Sequence, residues 1–420
     1  MKKERIYFCI DMKCFFASVE CALLGVNPFE TNLVVADESR GKGAICLAIS
    51  PKMKSLGVKN RCRLFEIPEC IQYTIAKPKM KKYIEYAADI YSIYLDYISK
   101  DDIHVYSIDE SFIDVTDYLK LYKKTPVEMA KMLINEIARK TRIPATCGIG
   151  TNMYLAKIAL DITAKKTPDH LGYLDEEKYK SELWKHKPLT DFWQISVGVS
   201  RRLARMGIFD MKSIATCPEE LLYKAFGINA ELLIDHSKGK ESCTIADIKE
   251  YKSNTKSVSF SQILFEDYPY DKARLVVKEM VLNGCEELAK RRISTSKVFL
   301  SVGYSSDEFE PTGGSEKLNV TTNLFSMILP AFLDIFDKTT LPDRLIRKLS
   351  IGFSSVCASD CEGYDLFTDY DSVEKEKKST AAVLDIKDKF GKNAIVRAMD
   401  LEDGATAMAR NKLIGGHNGE

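Results

Sequence analysis

Several features that would narrow the function of this chain are scarce or missing. No apolar run in the 420 residues reaches the length of about 20 residues that a membrane-spanning helix needs. The 12 cysteines are scattered and include no Cys-x-x-Cys pair, so we expect reduced thiols and no structural zinc site. The formal net charge is only +1, so any basic surface must be local. The segment Met1–Arg5 leads straight into a strand-like run without a signal-peptide cleavage site, which predicts a cytoplasmic protein that does not enter a membrane.

The composition is that of a globular protein with more than one domain. Apolar residues make up 45% of the chain and charged residues 29%, and this length predicts two to four domains. Strand and helix patterns alternate up to about residue 175, become all-helical over 184–239, and are mixed again from residue 256. We therefore predict an α+β fold, in which a first domain with an insertion precedes a helical domain and a small α+β sandwich.

For some elements the sequence predicts the first and last residues. The spacing of apolar residues predicts a helix over 15–24 directly after a buried strand at 5–10. Thr125 and Glu128 have the spacing of a capping box, and Pro126 suits the first helical position, so a helix is predicted from there to about Lys140. The polar stretch 364–380 is interpreted as part of a tail.

Two short acidic segments follow strand-like runs. Asp11 ends the first strand, and the pair Asp109 and Glu110 follows a second strand at 103–106. Adjacent carboxylates repel each other, and a cation relieves that repulsion. Mg²⁺ prefers oxygen ligands, and two such ions can clamp the attacking and leaving oxygens of a phosphoryl transfer. The pair alone is more typical of a solvated turn, so the hypothesis of a metal site rests on both segments together.

The residues around these acids form longer motifs. The first runs from Asp11-Met12 to Phe15-Phe16-Ala17-Ser18-Val19-Glu20, and the second is Tyr106-Ser107-Ile108-Asp109-Glu110. Both resemble the motifs of the Y-family DNA polymerases, the translesion enzymes of the UmuC/DinB type. Residues 50–58 are similar to the finger helix of the UmuC branch, and residues 148–159 to the palm strand and helix of the family. The resemblance extends in order from residue 5 to about 355, and residues 390–417 look like the end of Gram-positive UmuC-like proteins.

This resemblance implies the metal ligands. Asp11, Asp109 and Glu110 would bind two Mg²⁺ ions, and the main-chain carbonyl of Met12 would be a further ligand. In such a site metal ions and cationic side chains carry most of the catalysis, because the transferred phosphoryl group needs charge stabilisation and in-line positioning.

It also implies contacts to the incoming deoxynucleotide. Lys54 and Lys157 would neutralise the triphosphate, although a lone helix lysine is more often simply solvated. Phe16 would be the steric gate, a flat ring that leaves no room for a 2′-hydroxyl. Phe15 takes that place if the register is shifted by one, and a phenylalanine at this spacing also suits core packing.

Three residues near the expected active site depart from the pattern of the family or of its DinB branch. Lys13 stands where many relatives have Asp or Asn, which puts a cation close to the expected metal site. Pro51 stands where the DinB branch has a tyrosine that contacts the triphosphate, so Ser50 or main-chain amides are expected to replace that donor. Lys54 replaces an arginine of the DinB branch and offers a point charge in place of a bidentate fork.

The resemblance implies a right-hand architecture with DNA contacts outside the palm. We predict a palm at 1–25 and 78–180, fingers at 26–77, a helical thumb at 181–245, a little finger at 250–357 and a C-terminal tail at 358–420. Residues 195–200 are similar to half of a helix-hairpin-helix, in which main-chain amides near Gly198 and Ser200 bind DNA phosphates; an ordinary helical turn is the alternative. Arg291, Arg292 and Lys297 are predicted to contact the DNA backbone, or else to form a solvated face.

A partner-binding peptide is predicted in the tail. Residues 363–367 resemble sliding-clamp peptides, with Leu366 and Phe367 as the docking pair, although Gly363 replaces the usual glutamine. A second candidate at 262–265 has the glutamine but lies inside a predicted strand.

The motifs together predict a template-directed DNA polymerase for translesion synthesis in the SOS response, without proofreading. Its predicted partners are primer–template DNA, deoxynucleotides, a sliding clamp and either an accessory mutagenesis subunit or a recombinase filament, with the nucleoid as its place of action. One alternative is a catalytically weak regulatory subunit bound to DNA or clamp, for which Lys13, Pro51 and Ser200 are the signs. A two-metal nucleotide cyclase or nuclease is a further alternative.

Overall fold

The computed structural model describes residues 5–252, 256–306, 308–363 and 368–419. The chain divides into two compact units, residues 1–251 with 417–420, and residues 252–416. The division at residue 251 lies close to the predicted end of the helical thumb.

The first unit contains short strands and mostly short helices. Its strands are β1 (Tyr7–Met12), β2 (Leu33–Val35), β3 (Ala48–Ile49), β4 (Thr74–Ala76), β5 (Ile103–Val105), β6 (Glu110–Asp114), β7 (Ala145–Gly150) and β8 (Leu171–Leu174). Its helices are α1 (Phe15–Leu24), α2 (Pro51–Ser55), α3 (Met80–Leu95), α4 (Thr116–Tyr122), α5 (Pro126–Thr141), α6 (Met153–Ile158), α7 (Glu176–Lys178), α8 (Val197–Arg205), α9 (Met211–Thr216), α10 (Glu219–Phe226), α11 (Ala230–Ser237) and α12 (Ile245–Glu250).

A five-stranded sheet with the order β5-β6-β1-β7-β8 organises the first unit. The central strand β1 is antiparallel to both neighbours and is almost wholly buried, which explains its continuous apolar run. Helices α1, α3 and α5 contribute to the core on one face, and α6 contributes to a smaller cluster with residues of β1 and β6. Residues between α1 and α3 form a separate small sheet, β3-β2-β4, with its own apolar cluster.

The two helices whose limits the sequence predicts, α1 and α5, are confirmed. Helix α1 covers the predicted residues, and its last turn ends at Gly25, whose φ of 71° suits glycine. Helix α5 begins at Pro126 after the Thr125 cap, and the side chains of Thr125 and Glu128 form both bonds of the capping box.

The second unit has a sheet of long strands packed against helices. Its strands are β9 (Ser257–Tyr268), β10 (Ile293–Tyr304), β11 (Thr312–Thr322), β12 (Ile346–Ser354), β13 (Cys357–Ala358) and β14 (Leu413–Ile414), and its helices are α13 (Tyr270–Lys290), α14 (Phe325–Thr339), α15 (Tyr370–Phe390) and α16 (Ala407–Asn411). The strand order is β11-β10-β12-β9, and residues of α13 and α14 complete the core. The short strand β15 (His417–Asn418) ends the described chain.

The interpretation of the C-terminal residues as a tail is wrong for most of the described part. Helix α15 lies along α13, where Lys387 pairs with Glu286 at 2.7 Å. Glu279 of α13 is buried and accepts hydrogen bonds from the backbone N–H groups of Thr406 and Ala407 at 2.8 and 3.0 Å. Polar sequence concealed this packing, because α15 presents mainly charged residues and attaches through ion pairs.

Within the described ranges, no helix has both the length and the apolar character needed to cross a membrane.

Candidate active site

The two acidic segments meet at one end of the five-stranded sheet. Asp11 lies directly opposite Glu110 in the antiparallel pair β1–β6. The backbone N–H of Met12 donates to the carbonyl of Asp109 at 3.0 Å, which fixes the loop before β6 against the end of β1. The sheet register therefore brings Asp11 to the neighbouring pair Asp109 and Glu110, about a hundred residues further along the sequence.

Glu110 is held by a buried network. Its carboxylate accepts from the thiol of Cys9 at 3.1 Å and from the ammonium of Lys157 at 2.9 Å. Lys157 also pairs with Asp161, one helical turn further on, at 3.0 Å. Burial alone would lower the pKa of Lys157, but the surrounding anionic groups, the carboxylates of Glu110 and Asp161 among them, raise it above its ordinary value. Lys157 therefore remains charged and orients Glu110.

Asp11 is in a position that disfavours its negative charge. Its pKa is raised to about 7, chiefly by burial; Lys165 at 3.7 Å acts to lower the pKa, and the charges of Asp109 and Glu110 act to raise it. An anion in such a place is unfavourable until a cation compensates it.

The residues present fit a divalent cation by their chemistry. Asp11, Asp109 and Glu110 supply the hard oxygen donors that Mg²⁺ prefers, and a cation would offset both the burial of Asp11 and the neighbouring negative charges that raise its pKa. The described part of the chain contains no group of three or more His, Cys, Asp or Glu side chains already gathered as closely as a metal site requires. Glu110 instead pairs with Lys157, and Asp109 accepts from the hydroxyl of Ser107 at 2.7 Å.

The Gly-Ile-Gly sequence positions the helix that carries Lys157. A Cβ atom at Gly148 would lie 2.1 Å from the carbonyl oxygen of Ala156, and one at Gly150 would lie 2.2 Å from its nitrogen. Only glycine allows the backbone of α6 to lie directly on β7 at these positions. After α6 the chain continues through a π-helical turn at Ala159–Thr163, and Lys165 follows on the next turn.

The two phenylalanines that begin α1 have different environments. Phe15 is 3% exposed and belongs to the core of the first unit. Phe16 is only partly buried and stacks on Tyr83, with ring centroids 4.6 Å apart and an interplanar angle of 21°. Tyr83 is fixed in turn by donating to Glu20 at 2.8 Å. Phe16 is therefore the more exposed of the two rings, and the placement of the steric gate remains a prediction.

The predicted phosphate contacts are only partly accessible. Ser50 is fully buried, and its hydroxyl donates to the carbonyl of Thr31 at 2.6 Å while capping α2, so the structure does not present it to a ligand. Lys54 on the same short helix is exposed, and its ammonium lies close enough to interact with the thiol of Cys14. Lys157 has its ammonium in the buried network with Glu110.

The other predicted contacts lie on other elements or outside the described residues. Gly198 and Ser200 lie in the first turn of α8, where Gly198 is exposed. Arg291, Arg292 and Lys297 are exposed around the end of α13 and on β10, and Arg291 pairs with Glu287 at 2.7 Å. Leu366 and Phe367 lie outside the described residues.

The structure adds two charged residues that sequence reasoning missed. Asp161 bridges Lys157 and Lys165, at 3.0 and 2.7 Å, and Lys165 also approaches Asp11. The three residues follow one another at intervals of four, a spacing that places side chains on the same helical face. That spacing is the sequence signal that could have identified Asp161 and Lys165.

Comparisons with known proteins agree with this geometry. The model of the impB/mucB/samB family matches residues 10–161, and the model of the C-terminal domain of that family matches residues 255–366. The chain is 34% identical to the putative UV-damage repair protein UvrX of Bacillus subtilis (strain 168), over 97% of this chain and 96% of that protein. It is 32% identical to DNA polymerase IV 2 of the same organism, over 99% and 100% of the two chains.

Among solved structures, the Y-family DNA polymerase chimera Dbh-Dpo4(243-245)-Dbh has a similar fold. The TM-score is 0.63 at 20% sequence identity, covering 84% of this chain and 99% of that chain. The sheet, the acidic site and these likenesses define a Y-family polymerase of the UmuC/DinB type. The chain belongs to the impB/mucB/samB family, and the family and the α+β fold predicted from its motifs are confirmed.

Proposed function

We propose that this chain is a template-directed DNA polymerase that extends primers past damaged bases by two-metal nucleotidyl transfer, without proofreading. The observation that carries the proposal is that Asp11, Asp109 and Glu110 meet at one end of the sheet. The relatives that match the chain over nearly its whole length include DNA polymerase IV 2.

The carboxylates are proposed to hold two Mg²⁺ ions, with the carbonyl of Met12 as a further ligand. Bound there, such ions would acidify the primer 3′-hydroxyl and stabilise charge on the triphosphate. The proposed role of Lys157 is to hold the buried Glu110 in one orientation, which the 2.9 Å bond to its carboxylate supports.

The triphosphate is proposed to lie against Lys165 and Lys54 rather than Lys157. The side chain of Lys165 is 45% exposed next to Asp11, whereas that of Lys157 is 10% exposed and already paired with two carboxylates. Lys54 is exposed on α2. Phe16 is proposed to pack under the sugar and exclude a 2′-hydroxyl, because the Tyr83 ring behind it prevents retreat.

DNA and partner contacts remain predictions. The amides near Gly198 and Ser200 and the side chains of Arg291, Arg292 and Lys297 are proposed to contact the DNA backbone, supported by the exposure of Gly198 and of the three basic side chains. Leu366 and Phe367 are proposed to bind a sliding clamp. Involvement in the SOS response, a recombinase filament or accessory subunit, and action at the bacterial nucleoid in the cytoplasm belong to the same proposal.

Primer extension tests the proposal. The full chain is given a primed template, either undamaged or with an abasic site, with Mg²⁺ or with EDTA. We expect Mg²⁺-dependent extension that Asp109→Asn lowers by about a hundredfold or more. The matched control is Asp89→Asn, the same change at an exposed aspartate on α3.

Three results would contradict the proposal or redirect it. Equal extension by wild type and Asp109→Asn would exclude catalysis at this site. Absence of extension by wild-type protein that still binds primer–template would favour the regulatory subunit. Nucleotide turnover without primer–template would favour the cyclase or nuclease. Repeating the assay with a sliding clamp tests that partner separately.

A further inference from the structure

The side chain of Trp193 joins two segments of the first unit that are far apart in the sequence. Trp193 lies in the loop before α8, and its neighbours Phe192 and Ile195 are buried in an apolar cluster. The backbone N–H of Ile195 donates to the carbonyl of Phe192 at 3.1 Å and closes a turn. Within this turn Gln194 has a φ of 68°, a left-handed conformation that residues with a side chain seldom adopt. Trp193 is therefore held in a turn whose two ends are anchored in the core.

The indole of Trp193 contacts the turn that precedes Glu110. Its Nε1–H donates to the hydroxyl of Tyr106 at 3.1 Å, and the two rings meet edge to face with centroids 5.9 Å apart. Tyr106 also packs edge to face on Phe112 of β6, with centroids 5.7 Å apart, and Phe112 lies 5.9 Å from the Trp193 ring. Each of the three rings therefore contacts the other two.

Tyr106 begins a tight turn that contains a predicted metal ligand. The backbone N–H groups of Tyr106 and Ser107 both donate to the carbonyl of Glu110, at 3.0 and 3.1 Å. Inside the turn, the hydroxyl of Ser107 donates to the carboxylate of Asp109 at 2.7 Å. Tyr106 is 46% exposed, so ring contacts such as that with Trp193 are needed to fix its side chain. We expect a displacement of Tyr106 to move the Asp109 carboxylate, because only two residues separate them.

On its other side, Trp193 joins the helices of the first unit. Its ring stacks on His236 of α11, with centroids 6.2 Å apart and an interplanar angle of 16°. His236 is buried, is hydrogen-bonded to Glu241 at 3.0 Å and stacks on Tyr154 of α6 at 3.9 Å. The indole packs against two apolar clusters, one from α6 and α8–α11 and the other with residues of β1 and β6. It therefore connects these helices to the strands that carry the acids.

We propose that Trp193 is a positioning residue for the metal site, because it holds Tyr106 and thereby fixes the turn in which Asp109 would bind Mg²⁺. The role in catalysis rests on the proposed function, whereas the restraint on the turn does not. Since Trp193 lies in the loop before α8, DNA bound at the predicted amides of Gly198 and Ser200 would act on the metal site through the same contact.

The test uses substitutions that remove one polar group and keep the ring. Trp193→Phe removes the indole N–H, and Tyr106→Phe removes the hydroxyl that accepts from it. Hydrogen–deuterium exchange of the full chain in EDTA, followed at the amides of residues 106–110, measures the restraint on the turn without any polymerase chemistry. We expect exchange about three- to tenfold faster in either variant, because both lose the same hydrogen bond. The double variant should show no further increase.

Two matched controls make the same changes elsewhere in the first unit. Trp184→Phe also removes an indole donor, one that bonds to the carbonyl of Ser237 at 2.7 Å. Tyr122→Phe also removes a hydroxyl, one that donates to the carbonyl of Tyr97 at 2.9 Å. Both hydrogen bonds join residues outside 106–110, so exchange there should keep the wild-type rate while the melting temperature falls.

A kinetic readout separates positioning from a merely structural role. In primer extension, Trp193→Phe and Tyr106→Phe should raise the Mg²⁺ concentration for the half-maximal rate by about three- to tenfold. At saturating Mg²⁺ the KM for primer–template should be unchanged. Lost packing alone would lower the melting temperature and leave the Mg²⁺ dependence as in wild type.

The outcomes distinguish this inference from the proposed function. Unchanged exchange at residues 106–110 in both variants overturns it, and so do additive effects in the double variant. Faster exchange with an unchanged Mg²⁺ dependence also overturns it, because Trp193 would then be structural only. If Trp193→Phe does not fold, Tyr106→Phe decides, since Tyr106 is 46% exposed. Faster exchange in a chain that cannot extend primers supports the restraint and contradicts only the polymerase function.

Discussion

The ammonium of Lys157 lies 2.8 Å from Oε1 of Glu110, and each of the two side chains is only 10% exposed. This ion pair connects the helix after the Gly-Ile-Gly strand to a predicted metal ligand. We therefore expect Lys157 to act as a positioning residue, although the family motif had suggested a phosphate contact.

Replacing Lys157 with methionine should destabilise the first unit by about 3–5 kcal/mol, because Glu110 would be left buried without its cation. Calorimetric melting of the full chain measures this loss. Lys165→Met provides the comparison, since its side chain is 45% exposed and its ion pairs should contribute no more than about 1 kcal/mol. Equal melting temperatures for the two variants would contradict the positioning role.

Shortening Phe16 should relax the selection against ribonucleotides. Phe16→Ala removes the ring that Tyr83 supports, so the ratio of deoxynucleotide to ribonucleotide incorporation should fall by at least about tenfold. Single-nucleotide incorporation with each substrate measures the ratio. Phe15→Leu is the matched control, because Phe15 is buried in the core and should affect stability rather than sugar selection. If only Phe15→Leu changes the ratio, the gate has been assigned to the wrong ring.

Glu279 should hold the C-terminal segment on the second unit. Glu279→Gln replaces an acceptor of three hydrogen bonds from Thr406 and Ala407 with an amide, and should cost about 1.5–3 kcal/mol. Limited proteolysis should then cut the segment after α15 faster than in wild type. Glu287→Gln, on the same helix and paired with Arg291 near the surface, should leave the cutting rate unchanged.

Stability should depend on pH through Glu241. Burial acts to raise its pKa, but hydrogen bonds from His236 and from the backbone N–H of Cys243 lower it below the ordinary value overall. A carboxylate with a lowered folded-state pKa stabilises the protein above its unfolded pKa and loses that contribution as the pH falls. The melting temperature of wild type should therefore exceed that of Glu241→Gln near pH 7, and the difference should shrink toward about pH 3. A difference in melting temperature that grows on acidification would show that folding does not lower the pKa of Glu241.

Local sequence was sufficient to predict the helices whose capping residues and apolar spacing lie within the helix or directly next to it. Helix α5 begins where Thr125 and Glu128 predict, and α1 covers its predicted residues, because capping and apolar spacing act over a few residues. The acidic motifs also identified the family, since their residues are close together in the chain.

The sequence failed where a contact joins distant segments through polar groups. Nothing in the residues near Ser50 shows that its hydroxyl caps α2 and bonds to Thr31. The polar surface of α15 concealed its ion pair with α13.

The sequence by itself determined the family and the order of the main elements, and it predicted the carboxylate ligands, because these inferences depend on residue type and short-range spacing. Only the tertiary structure decided which side chains remain free to bind a ligand. The pairing of β1 with β6 placed Asp11 opposite Glu110, and the close packing of α6 on Gly148 and Gly150 placed Lys157 in the buried network. Burial and charge pairing act through space, so Lys157 and Lys165, eight residues apart in the sequence, are proposed to have different functions.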